Sequence, residues 1–298
     1  MPQISTVLCP TDFSDPSRHA LEHAIAVARW YAARLVGLHA YAPPFYPVTD
    51  LMTTGVGFDV PDAATVALLE QEVLASLEPA RAVGLATAAR VATGPPATAI
   101  VDCAYTLPAD LIVLGTHGAT GFEHLVLGSV TEKVLRRAIC PVMTVPPRVR
   151  ATSRLPFERV VCPIDFSPSA DLALAHALSL AQEANAALSL VHVLECPNDQ
   201  PLSHLKYIAP EYHAYREHDA MTRLSKLIPD DVRDWCTPEV RVLHGKPHDA
   251  ILAFAEQVRA DVIVMGVQGR NAVDVMLFGS TTNQVVRRAT CPVLTLRS

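Results

Sequence analysis

Two stretches of this sequence repeat one glycine spacing. The first runs from Gly115 through Gly118 to Gly128 and Ser129; the second runs from Gly266 through Gly269 to Gly279 and Ser280. Both read G-x2-G-x9-G-S. Glycine lacks a Cβ, so the first pair lets the backbone turn sharply and approach a ligand. The closing glycine and serine open a helical pattern. The free N–H groups and positive dipole end of a helix favour an anion such as phosphate. The serine hydroxyl suits a cap or a phosphate contact. One such loop would read as a turn; finding every position kept in both stretches argues for a site.

The glycines belong to a longer repeat. VLCPTDFSDPS from residue 7 recurs as VVCPIDFSPSA from residue 160, which sets Asp12 against Asp165 at an offset of 153 residues. RLVGLHAY (34–41) recurs as ALSLVHVL (187–194) at the same offset. GPPATAI, ADLIVLGTHG and RRAICPVMTV then recur as GKPHDAI, ADVIVMGVQG and RRATCPVLTL at an offset of 151. The chain is one domain duplicated and fused. Its expected parts are a first domain at 1–147, a linker at 148–158 and a second domain at 159–298. At 298 residues the chain is long enough for two such cores.

Each half alternates short apolar runs with helical patterns, as an open parallel sheet does. In the first half, strands are expected near 6–10, 34–41, 86–92, 110–115 and 141–145. Helices are expected near 17–33, 63–82, 95–107 and 128–138. Strands of the second half are expected near 159–163, 188–194, 238–243, 261–266 and 292–296. In such sheets ligands bind beyond the carboxyl ends of the strands, where the strand order reverses. The proline-rich segments 42–62 and 195–210 are long enough to be functional loops, and lids over the sites are expected there.

Composition excludes several classes. With 24 basic and 30 acidic residues the formal charge is −6, which argues against a nucleic-acid partner. Half the residues are hydrophobic and 18% are charged, unlike a disordered chain. No apolar run reaches the roughly 18 residues of a membrane span, and the start lacks a signal-peptide pattern, so a cytoplasmic protein is expected. Seven cysteines without a C-x2-C pair suit reduced thiols, and no zinc spacing is present. Cys9, Cys162, Cys140 and Cys291 recur in matched strands and read as small buried hydrophobes. His39 and His192 end matched strands and read as structural hydrogen-bonders, whereas His117, inside the glycine loop, is better placed for a ligand.

These residues together resemble the universal stress protein domain, and the chain looks like a tandem of two. The resemblance rests on PTDFS and PIDFS, the histidine ending the second strand, the GxP segment, the glycine motif and the closing CPV strand. It implies five-stranded, parallel, Rossmann-like domains of the adenine nucleotide alpha-hydrolase type, related by a pseudo-twofold. It also implies ATP, with Mg as a possible companion. By position, Asp12 and Asp165 would meet the adenosine, with Pro10, Thr11, Pro163 and Ile164 beside it. Ala40 and Val193 would contact adenine. Gly115, Gly118, Gly128, Ser129, Val130, Gly266, Gly269, Gly279, Ser280 and Thr281 would hold ribose and phosphates. In the family single domains pair through their last strands, so PVMTV and PVLTL are expected to pair within the chain, and a homodimer of chains is a further option.

The second half departs from the pattern. It lacks a glycine matching Gly121, has Thr281 for Val130, and gains Arg270, which suits either a phosphate or the surface. There is no G-x4-G-K-[ST], no G-x-G-x-x-G and no G-x-S-x-G motif. The glycine loops carry no lysine. The site reads as one that holds ATP in a stress-response switch or adaptor, with an unidentified protein partner. A slow ATPase or autophosphorylation at Ser129, and a nucleotide-free binder of a small molecule or lipid, are the alternatives.

Overall fold

The computed structural model describes residues 4–42, 61–117, 127–147, 155–195, 209–234, 236, 238–268 and 278–297. The lid segments expected at 42–62 and 195–210 fall almost wholly outside these residues. So do Gly118, Gly269 and Arg270. The chain divides into two compact units, Pro2–Pro147 and Arg148–Ser298.

In the first unit the strands are β1 (Thr6–Pro10), β2 (Arg34–Tyr41), β3 (Thr87–Thr93), β4 (Leu111–Gly115) and β5 (Val142–Val145). The helices are α1 (Asp15–Tyr31), α2 (Ala63–Ser76), α3 (Glu78–Ala82), α4 (Pro96–Thr106) and α5 (Ser129–Arg137). The strand order is β3-β2-β1-β4-β5, with parallel pairing throughout. The order reverses between β1 and β4, which leaves a crevice beyond their carboxyl ends. All of β4 is buried, as a strand covered on both faces must be.

Local chemistry sets the ends of these elements. Ser14 caps α1 by accepting from the Ser17 N–H, and Pro16 suits the first turn, where a missing N–H costs nothing. Ala32 closes α1 in a left-handed conformation and donates to the carbonyls of Ala28 and Arg29. The single helix expected over 63–82 is two. Pro79, in the first turn of α3, has no N–H to continue α2, and the chain restarts at Glu78.

The second unit repeats the plan. Its strands are β6 (Arg159–Pro163), β7 (Ala187–Leu194), β8 (Glu239–His244), β9 (Val262–Gly266) and β10 (Val293–Leu296). Its helices are α6 (Pro168–Ala184), α7 (Ala209–Lys226), α8 (Pro247–Gln257) and α9 (Ser280–Arg288). The order β8-β7-β6-β9-β10 again reverses between the first and fourth strands of the unit, β6 and β9.

Cys9, Cys162 and Cys291 are buried and Cys140 is partly so. Burial pushes the thiols up, to about 12 for Cys9 and Cys291 and about 11 for Cys140, so they stay protonated and pack as small apolar groups. Among the described residues no helix is long and apolar enough to cross a membrane.

One repeated carboxylate pins the start of the first strand in each unit. Asp110 Oδ2 accepts from the backbone N–H groups of Ser5 (2.7 Å) and Thr6 (2.9 Å). Asp261 Oδ2 accepts from Glu158 (2.9 Å) and Arg159 (2.8 Å) in the same way. These bonds are partly solvated, so Asp110→Ala is expected to cost about 1–2 kcal/mol in urea unfolding of the first unit. Asp110→Asn keeps an acceptor and should cost less. Equal stability of Asp110→Ala and the parent would contradict this assignment.

Candidate functional site

The site of the first unit is built from six chain segments that end or begin at the crevice, one of them the start of α1 with Ser17. A cavity of about 240 Å³ lies there. Pro10, Thr11 and Asp12 leave β1; Leu38, His39 and Ala40 leave β2; Leu114, Gly115 and His117 leave β4. Pro96 and Ile100 come from the start of α4, and Gly128, Ser129, Val130 and Thr131 from the start of α5. The first-half residues named from sequence that fall among the described ones therefore line one cavity. Leu38, Pro96, Ile100 and Leu114 give it apolar walls. Thr11, Asp12, Ser17 and Ser129 give it a polar end.

The turn after β1 is held by side chains. The Thr11 N–H donates to the Leu38 carbonyl at 2.8 Å. The His39 ring donates from Nδ1 to the Thr11 carbonyl at 2.9 Å, because a carbonyl can only accept. Phe13 takes a left-handed φ of 61° and stacks on His39 with ring centroids 4.7 Å apart. His39 is thus a structural hydrogen-bonder, as its strand-end position suggested. Asp12 Oδ1 accepts from the Ser14 N–H (3.1 Å) and the Ser14 hydroxyl (2.5 Å). The carboxylate is itself exposed at the cavity.

Two hydroxyls beneath Asp12 have their protons committed. Ser17 donates to the Ser14 carbonyl at 2.9 Å. Thr11 and Ser17 lie 3.2 Å apart, so Thr11 is the donor of that pair. Thr11 also accepts from the Phe13 N–H at 3.0 Å. Each hydroxyl oxygen has two lone pairs, and one on each is used. What this pair can still offer is acceptance. Together with the Asp12 carboxylate it forms an acceptor cluster, suited to a ligand edge bearing N–H or O–H groups.

The glycines have steric reasons. A Cβ on Gly115 would lie 3.1 Å from both the His117 and the Pro16 carbonyl oxygens. On Gly128 it would lie 3.2 Å from the Thr116 oxygen. Gly128 is the N-cap of α5 and brings no side-chain cap, so the helix presents its first N–H groups to the cavity rim. Thr131 fastens this helix to the strand end: its hydroxyl donates to the Gly115 carbonyl at 2.8 Å.

Thr131 was not singled out from sequence, nor were Ser17 and Ile100; Pro96 entered only as the proline of the GxP segment. The signal for Thr131 was present, since Thr282 recurs at the glycine-motif offset. Thr282 makes the same bond, to the Gly266 carbonyl at 2.9 Å.

The second unit places its counterparts alike. Pro163, Ile164 and Asp165 leave β6, Val193 lies near the end of β7, Gly266 ends β9, and Gly279, Ser280 and Thr281 open α9. The Ile164 N–H donates to the Val191 carbonyl at 2.8 Å, and His192 Nδ1 donates to the Ile164 carbonyl at 2.6 Å. Asp165 Oδ1 accepts from the Ser167 N–H (3.0 Å) and hydroxyl (2.6 Å).

Three differences accompany this agreement. Ile164 and Ala170 stand where the first unit has Thr11 and Ser17. Ser169 packs against Gly266, and its hydroxyl donates to the Gln268 carbonyl. The Arg223 guanidinium lies 3.8 Å above the Phe166 ring, a cation–π pair beside Asp165.

Known proteins share both the sequence and the fold. The model of the universal stress protein family matches residues 3–146 and again 156–297. A universal stress protein of Mycolicibacterium smegmatis is 27% identical over 300 aligned residues, covering 98% of this chain and 96% of its own. Universal stress protein MJ0531 of Methanocaldococcus jannaschii is 34% identical over 143 residues, which is 47% of this chain and 80% of the relative. The crystal structure of a universal stress protein from Archaeoglobus fulgidus superposes with a TM-score of 0.68 at 25% identity, covering 99% of this chain and 97% of that one. With the family pattern matched twice, across nearly its whole length, this chain belongs to the universal stress protein family as a tandem of two domains.

Proposed function

We propose that the first unit binds ATP in the crevice between β1 and β4, and that the chain works as a nucleotide-dependent switch in the stress response. The observation that carries this reading is the cavity itself. It joins an apolar slot, an acceptor cluster and a helix N-terminus without a side-chain cap, all at the switch point of an open parallel sheet.

The residues suit the parts of the ligand. Leu38, Ala40, Pro96 and Ile100 offer an apolar slot for a planar base. Asp12 and Thr11 accept from amino or hydroxyl donors. The cavity of 240 Å³ equals about eight waters of liquid volume, enough for a base with part of its sugar. The phosphates would then extend along Gly115, Gly128, Ser129 and Val130, where N–H groups and the helix dipole favour negative charge. Mg would travel with the phosphates. When bound, ATP supplies a charge whose presence or loss a partner can read.

A substitution at the helix start tests this. Ser129→Asp puts a carboxylate where the phosphates belong. An acid in the first turn favours the helix, so the melting temperature should hold or rise. ATP affinity of the first unit should fall at least about tenfold, because like charges meet at short range. Calorimetry that finds the affinity unchanged would sink the proposal. Tight binding of a lipid or another small molecule, with none of ATP, would favour the nucleotide-free alternative.

A further inference from the structure

Resting on the nucleotide reading above, we infer that the two units are unequal sites: the acceptor pair Thr11–Ser17 makes the first the tight one, and Ile164–Ala170 makes the second the weak one. The backbone of the two turns is the same. In each, the residue before the aspartate donates its N–H to β2 or β7, accepts from a histidine Nδ1, and precedes a phenylalanine at a φ near 60°. The positions therefore correspond one to one, and the side chains differ in chemistry alone.

In the first unit the two hydroxyls sit 3.2 Å apart on the cavity wall, their protons committed and their spare lone pairs on hand for a ligand donor. In the second unit those oxygens do not exist. Ile164 is 2% exposed and Ala170 is 2% exposed, apolar carbon in place of acceptors. A ligand donor set against that wall gives up its water without a replacement partner. Asp165 is left to meet it, more sheltered than Asp12 and with Arg223 stacked on the neighbouring Phe166. Loss of two ordinary hydrogen bonds corresponds to about tenfold or more in affinity.

Titration of the full chain with ATP, by calorimetry, should show a tight event and a second at least about tenfold weaker, or one event alone. Thr11→Val/Ser17→Ala should weaken the tight event by about tenfold or more, and Ser280→Asp should leave it unchanged. These hydroxyls also brace the α1 turn, so a melting curve accompanies that variant. The reciprocal exchange, Ile164→Thr/Ala170→Ser, should tighten the weak event, and a gain of affinity cannot come from misfolding. Two events of equal affinity would overturn the inference while leaving the nucleotide reading intact. A tight event that survives Thr11→Val/Ser17→Ala but is lost in Ser280→Asp would also overturn it. No ATP binding at all would remove the nucleotide reading, and this inference with it.

Discussion

Replacing Gly266 with alanine is expected to destabilise the second unit by about 3 kcal/mol. The added Cβ would lie 2.5 Å from the Ser169 hydroxyl and 2.8 Å from both the Ser169 Cβ and its carbonyl carbon. Two of those neighbours are held by backbone at the first turn of α6, so they cannot swing aside as a flexible side-chain end would. The strand end and the helix start must separate, and the Ser169–Gln268 hydrogen bond goes with them. The matched position of the first unit is a control. At Gly115 the nearest atoms are 3.1 Å away, so Gly115→Ala should cost about 1 kcal/mol. Urea unfolding of both variants tests the contrast. Ser169→Gly removes the Oγ and Cβ clashes and should recover part of the loss in Gly266→Ala. Equal, small costs at the two glycines would show that the strand end and the helix start at Gly266 yield without loss.

Acidification is expected to remove about 3 kcal/mol from the first unit between pH 6.5 and 4, through one histidine. His23 is buried on the inner face of α1, at 3% exposure. Burial first, and then the His19 ring at 5.1 Å, push it down from 6.5 to about 4. Above pH 6.5 the imidazole is neutral both folded and unfolded, so it has no effect on stability. Between 6.5 and 4 the unfolded chain takes up the proton while the folded unit does not. Stability therefore falls as pH falls through that window. His176 occupies the same repeat position in the second unit, and burial lowers it too, partly opposed by its hydrogen bond to the Leu172 carbonyl. His23→Leu should flatten the pH dependence of the first unit. Urea midpoints at pH 7 and pH 4.5 decide it, since an equal drop in the parent and His23→Leu would assign the acid loss elsewhere.

Much of this architecture was legible because the chain contains its own comparison. The two glycine motifs, the paired aspartates and the strand-end histidines stood out against each other without any third sequence. The strand boundaries followed from apolar runs and came within about two residues. Other features were hidden for identifiable reasons. The break at Leu77 was signalled by Pro79, but the alanine-rich pattern ran across it. Thr131 and Thr282 sit inside a helical pattern, and sequence spacing does not reveal a hydroxyl turned back to a strand carbonyl sixteen residues earlier. The left-handed Phe13 and Phe166 run against residue preference, since a bulky side chain rarely takes that backbone. The contribution of Ser17 emerges only when α1 is seen to start directly under the end of β1. The loss of the Thr11–Ser17 pair in the second half was likewise present in the letters, but Ile164 read as one more apolar strand residue until its partner was known.

Native mass spectrometry of the full chain, before and after titration with ATP, decides whether the first unit holds the nucleotide. An adduct of ATP mass is expected at low ATP, assigned to the first unit by its loss in Ser129→Asp. A second adduct is expected only at about tenfold higher ATP or beyond. No adduct of ATP mass, even with ATP in large excess, would contradict nucleotide binding, and the glycine motif would then serve the shape of the fold alone.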